Sequence, residues 1–170
     1  MDRKEFRLRT MGWPAILVGF LLLGALGCLF LPLLGTRSPE GTLVLFSSPQ
    51  LIFGGLYETV VDGYPFSMGF ALNYGILVVG QLIILASLAS FFGRNHPRNL
   101  MIAIILVALS IVGTLLVPVL VSWMNPGIDP KECVYGYGAL IVIGLLFVSL
   151  ISLCVLHRLS WSFWKKKRIR

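Results

Sequence analysis

Side chains able to do chemistry are sparse in this chain, so each can be weighed by its setting. Asp62 in VVDGY and Asp129 in GIDPKE would make a carboxylate pair of the two-aspartate hydrolase kind if the fold brought them together, although both settings read more simply as turns. His96 in RNHPRN has no Cys, Asp or Glu close by in sequence and His157 has only Cys154, three residues before it, so neither a metal site nor a general base is expected there. Cys28, Cys133 and Cys154 form no C-x-x-C pair, and a Cys28 to Cys133 disulfide is left open. Gln81 stands in the middle of a long apolar run, where a hydrogen bond to another helix is the expectation and the lining of a substrate path the alternative. No catalytic residue, metal site or cofactor is expected, and the chain reads as a non-enzyme.

The elements that would position these residues follow from composition. The 170 residues are 57% hydrophobic and 12% charged, with a mean hydropathy of +0.90, and a water-soluble fold could not hide that much apolar surface. Four windows free of Asp, Glu, Lys and Arg are long enough to span a bilayer: about 11–35, 68–93, 100–124 and 138–157. The first is longer than a signal-peptide apolar core and no A-x-A site follows it, so it is expected to be retained. The formal charge of +7 is not a nucleic-acid footprint, because the basic residues flank the windows. With both termini inside, twelve of the fourteen lie in cytoplasmic segments and only Arg37 and Lys131 outside. The predicted fold is therefore an all-α membrane protein: a single domain over 1–170, a four-transmembrane-helix bundle with both termini cytoplasmic, expected in the plasma membrane.

Between the first two spans lies a long outer loop, 36–67. TLVLF (Thr42 to Phe46), QLIFGGLY (Gln50 to Tyr57) and ETVVDGY (Glu58 to Tyr64) alternate β-branched and aromatic residues with breakers, which predicts a small β-sheet of two or three strands. LFLPLLG (Leu29 to Gly35) in the first span is similar to LLVPVLV (Leu115 to Val121) in the third. Pro32 and Pro118 are each expected to kink the outer part of a helix. CVYGYGAL reads as entry into the fourth span rather than as a strand. In it Tyr135 and Tyr137 lie in the outer aromatic belt and Gly136 and Gly138 let the chain turn tightly. The ending WSFWKKKRIR reads as an anchor on the anionic inner leaflet.

What remains is surface for partners. Ala15/Gly19, Gly24/Cys28, Ala86/Ser90 and Ser110/Thr114 are four apart, so each pair lies on one helix face and admits a close backbone, within the bundle or from a partner. VSWM (Val121 to Met124), YGYGAL (Tyr135 to Leu140) and GGLYETVV (Gly54 to Val61), on a tetraspan layout with a long first outer loop, resemble the claudin, peripheral myelin protein and calcium-channel γ-subunit superfamily. The first loop lacks the tryptophan and cysteines of that family's motif, with Tyr57 standing where the second tryptophan would be. The resemblance implies a small outer sheet and binding to other membrane proteins. Asp62 and Asp129 are similar in placement to the acids of lipoprotein signal peptidases, without that family's asparagine and arginine motifs.

The expected function is a non-enzymatic accessory or assembly subunit of a larger membrane complex such as a channel, transporter or electron-transfer complex. Its partners would be membrane lipids and other integral membrane proteins, met through Gly54, Gly55, Leu56, Tyr57, Tyr135, Tyr137, Gly19 and Gly24. Claudin-like adhesion or barrier formation and a small two-aspartate membrane protease are the alternatives.

Overall fold

In a computed structural model of the protein, residues 3–37, 43–53, 70–92, 97–124, 131 and 133–168 are described. The chain is mostly helical: α1 (Arg3–Cys28), β1 (Pro32–Arg37), β2 (Leu43–Ser47), α2 (Ser48–Phe53), α3 (Phe70–Phe92), α4 (Pro97–Met124), β3 (Cys133–Tyr135) and α5 (Tyr137–Arg168). The long helices form a ring in which α1, α3, α4 and α5 each pack on two neighbours in that order, with α5 closing on α1. Neighbours in chain order run antiparallel. The Asn99 amide donates to the Phe92 carbonyl at the α3–α4 turn, while further along Gly113 lies against Val79.

The bundle is apolar on its outward faces as well as inside. Leu22, Ile83, Val107, Leu146 and Leu153 fill the middle, and the buried polar side chains among the described residues are all hydroxyls. The outward faces carry Leu17, Phe20, Leu85, Ile105 and Ile151 among many other exposed apolar side chains. Arg98–Leu120 and Tyr137–Ser160 are long and apolar enough, by length and composition, to cross a bilayer; Gly12–Cys28 and Ile76–Phe92 are shorter apolar helices.

At one end the three strands form a sheet in the order β2-β1-β3, both pairings antiparallel. Leu34 pairs with Phe46 on one side and Tyr135 on the other, and a bulge between Pro32 and Leu34 shifts the register. Leu33, Leu34, Phe46 and Leu51 are buried beneath it, each worth about 1.5–3 kcal/mol relative to exposure.

The expected strand at TLVLF is present as β2, but three other assignments change. The first helix ends at Cys28 rather than near Gly35, and Pro32 opens a strand instead of kinking a helix. Leu29, Phe30 and Leu31 each donate back three residues, to Leu26, Gly27 and Cys28, the tightened geometry on which helices commonly end. The residue before a proline is biased out of the helical region, so the chain turns extended there. Gln50 to Phe53 is helical, not extended, because Ser48-Pro49 starts a helix with a cap-type residue followed by proline in its first turn. Cys133–Tyr135 is a strand, although CVYGYGAL was expected to lead straight into a helix. Three residues suffice once β1 offers an edge. Pro118 does lie inside a helix, α4, which continues to Met124. The tyrosines and glycines of the Gly54 to Tyr64 stretch lie outside the described residues.

Candidate functional site

The sheet end ties separate parts of the chain into one platform. Gly136 donates its N–H to the Leu33 carbonyl at 2.9 Å, continuing the β1–β3 ladder by one step before α5 begins. A side chain at Gly136 would run into the Pro32 carbonyl, and one at Gly138 would stand 2.7 Å from that same oxygen and from Leu31 Cβ. These glycines are therefore set by close backbone approach rather than by the tight turn expected of them. Tyr135 Oη donates to the Leu115 carbonyl of α4 at 2.8 Å, and Ser48 Oγ donates to the Leu29 carbonyl at the end of α1. Burial pushes the Tyr135 hydroxyl above its ordinary value of 10.0, since desolvation penalises the phenolate.

Around this platform the large side chains of Phe30, Leu43, Leu45, Trp123, Val134 and Tyr137 are all exposed. Tyr137 thus sits where an aromatic partner contact could be made. Tyr135 is half-buried and committed to α4. Gly54, Gly55, Leu56 and Tyr57 lie outside the described residues, as do Asp62, Asp129 and His96. Among the described residues no group of three or more His, Cys, Asp and Glu side chains could hold a metal ion. Cys28, Cys133 and Cys154 are thiols, so Cys28 and Cys133 are not joined.

Along the helices, small residues and hydroxyls do most of the joining. Ser90 Oγ donates to the Ala15 carbonyl at 2.7 Å and Ser87 Oγ to the Gly19 carbonyl at 3.0 Å, so α3 is bonded to the backbone of α1. The Phe91 ring lies where a Gly19 side chain would be, 2.5 Å from an ideal Cβ, and packs edge-on against Phe20 with centroids 5.5 Å apart. Gly19 and the Ala86/Ser90 pair are thus taken up inside the bundle. Ser110 and Thr114 are also buried, donating to carbonyls of their own helix at Leu106 and Ser110. Gly24, in contrast, is exposed, with open space where a side chain would be.

Gln81 corrects the expectation of a bond inside the bundle: it is exposed on α3, pointing away from α1 and α4. Ser87 and Ser90 are the hydroxyls that join α3 to α1, and Ser87 stands outside the expected small-residue pairs, which are spaced four apart. The signal was present as two serines in ASLAS on one turn. Ser149 Oγ is buried in α5 without a hydrogen-bond partner.

Comparison with known proteins finds no family model, no curated protein and no solved structure that matches the chain.

Proposed function

We propose that the protein is an integral membrane protein of four spans, with both termini on the cytoplasmic side, that acts without catalysis as an accessory or assembly subunit of a larger membrane complex. One observation carries this reading: leucine, isoleucine, valine and phenylalanine are exposed on the outward faces of α1, α3, α4 and α5 alike, although the interior is apolar as well. Water would penalise that surface along its whole length, whereas hydrocarbon accepts it without cost. The basic residues clustered at Arg3 to Arg9, at Arg94 and Arg98, and from Arg158 on support an inside location for both ends.

The partner role rests on what the molecule offers. It has an exposed apolar platform at the sheet end and an open helix face at Gly24. Membranes washed at alkaline pH should retain the chain, and mild-detergent capture followed by mass spectrometry should recover another integral membrane protein in fixed proportion. Recovery of this chain with no other protein would count against the accessory role.

The sheet favours a second reading, claudin-like adhesion or barrier formation, since a small outer sheet is what the resemblance of VSWM and YGYGAL implies. In that case vesicles bearing the protein should adhere to one another through the sheet ends, and substitution of Leu43 and Leu45 by Lys should abolish adhesion.

A further inference from the structure

Gln81 poses a problem that the bundle itself does not solve. It is the central residue of α3, eleven from Phe70 and eleven from Phe92. Its level can be checked against α4 through the observed pairs, because Val79 lies beside Gly113 and Phe92 beside Asn99. The same register sets Gln81 level with Ser110 or Ile111, at the middle of the apolar stretch Arg98–Leu120. At 1.5 Å per residue Gln81 is about 16 Å from either end of α3, close to the midplane of a hydrocarbon core about 30 Å thick.

Its neighbours on the helix surface are the residues three and four away on each side. Leu77, Val78, Ile84 and Leu85 are all exposed and apolar. The primary amide, with two donors and one acceptor oxygen, therefore stands alone on a lipid-facing stripe, and hydrocarbon offers it nothing to bond. Leu77, Gln81, Ile84 and Leu88 also follow the 4-3-4 spacing of a helix–helix seam, in which one polar residue fixes register and partner number.

We propose that this face of α3 is the interface of a homodimer in which Gln81 bonds to Gln81 of a second copy. The choice of a second copy follows from geometry and chemistry together. Copies inserted with the same topology present Gln81 at the same depth, and a two-fold axis along the membrane normal brings identical residues face to face. An amide both donates and accepts, so it is complementary to itself. The proposal rests on the membrane reading above, and is independent of which partner complex or adhesive role that reading takes.

The test uses the full chain in phosphatidylcholine vesicles, with the three cysteines replaced by alanine and single cysteines scanned from 76 to 88. Oxidative cross-linking between copies should peak at 77, 81, 84 and 88 and be minimal at the buried positions 79, 83 and 86. Energy transfer between labelled copies, titrated against lipid, should show Gln81→Leu weakening association roughly three- to thirtyfold, the range for one interhelical hydrogen bond, with Gln81→Asn retaining much of it. Gln81 is exposed, so neither change should disturb the helix bundle, as circular dichroism will check. A chain that stays in the vesicles after an alkaline wash yet remains monomeric, or dimerises equally well as Gln81→Leu, overturns the dimer alone. Cross-links from position 81 in native membranes to a different chain and none to a second copy do the same. Release of the chain by the wash overturns the membrane reading with it.

Discussion

Two similar heptapeptides, LFLPLLG at Leu29 to Gly35 and LLVPVLV at Leu115 to Val121, take opposite courses beyond a proline at the same position in each. At Pro32 the chain leaves α1 and becomes the central strand of a sheet; at Pro118 it remains α4. Yet the residue three before each proline is treated alike. The Leu29 carbonyl receives the Ser48 hydroxyl and the Leu115 carbonyl receives the Tyr135 hydroxyl, in both cases from a distant part of the chain. The N–H that proline lacks would have reached the residue four before it, Cys28 or Thr114, so neither hydroxyl replaces it; each binds the next carbonyl along, beside the disturbed turn. The local constraint is shared; the path beyond the proline is decided by what lies alongside. β2 and β3 flank the first copy and give it ladder partners, while the second copy continues as a helix packed between α3 and α5.

The greatest strain on this comparison comes from removing the close approach that lets β3 reach the first copy. Gly136→Val would force a side chain into the Pro32 carbonyl, and should cost about 3 kcal/mol or more as an overpacked site with no flexible neighbour to yield. Unfolding followed by circular dichroism in detergent will measure it. Gly144→Ala, where nothing lies within 4 Å of the added carbon, is the control and should gain up to about 1 kcal/mol from helix propensity. Equal losses at the two glycines would mean that the β1–α5 contact does not hold the sheet end together.

Next in size is a matched pair one residue beyond each proline. Leu33 is 2% exposed beneath the sheet and Val119 is 53% exposed on α4. Leu33→Ala should therefore cost about 2–4 kcal/mol, whereas Val119→Ala should stay within about 0.5 kcal/mol. Similar costs would show that the two copies are equally packed and that the divergence after the prolines carries no energetic weight.

This pair also shows how much was legible beforehand. The long helices were readable because continuous runs such as Leu100 to Met124 leave no alternative, and β2 because TLVLF is bounded by Gly41 and Ser47-Ser48. The fate of Leu33 was not, since LFLPLLG and LLVPVLV have almost the same local preferences and only pairing across the chain separates them. For the same reason Cys133–Tyr135 was not recognised as a strand: three residues carry no period, and β1 was hidden inside an expected helix. Of the proposed contact residues, Gly19 and Gly24 have the same small-residue signature. Nothing in the sequence says that Phe91 covers one and leaves the other open.

A smaller effect attaches to the first copy's hydroxyl donor. Ser48 is buried, so Ser48→Ala leaves the Leu29 carbonyl short of a partner, a loss of about 1–2 kcal/mol. Ser48→Thr, which keeps the hydroxyl, should recover part of it. If alanine and threonine are equally stable relative to the parent, the Leu29 carbonyl does not depend on Ser48 and the parallel with Tyr135 fails.

The second copy's donor is more exposed and its contribution should be the smallest. Tyr135→Phe removes one hydrogen bond to Leu115, with an expected loss of about 0.5–1 kcal/mol. Its signature is the pH dependence. Desolvation raises the folded-state phenol above its ordinary value of 10.0, so the folded protein holds this proton more tightly than the unfolded chain does. The resulting stability is fully present below pH 10, falls as pH rises toward the folded value, and is gone above it. Only the neutral phenol can donate to the Leu115 carbonyl, so bond and charge state are lost together. The parent should lose stability relative to Tyr135→Phe as pH climbs past 10, and the gap between them should be constant from pH 6 to 9. A gap that stayed unchanged beyond pH 10 would mean that the hydroxyl titrates as it does in water. It would also leave the carbonyl of the second copy without the partner that makes the two prolines comparable.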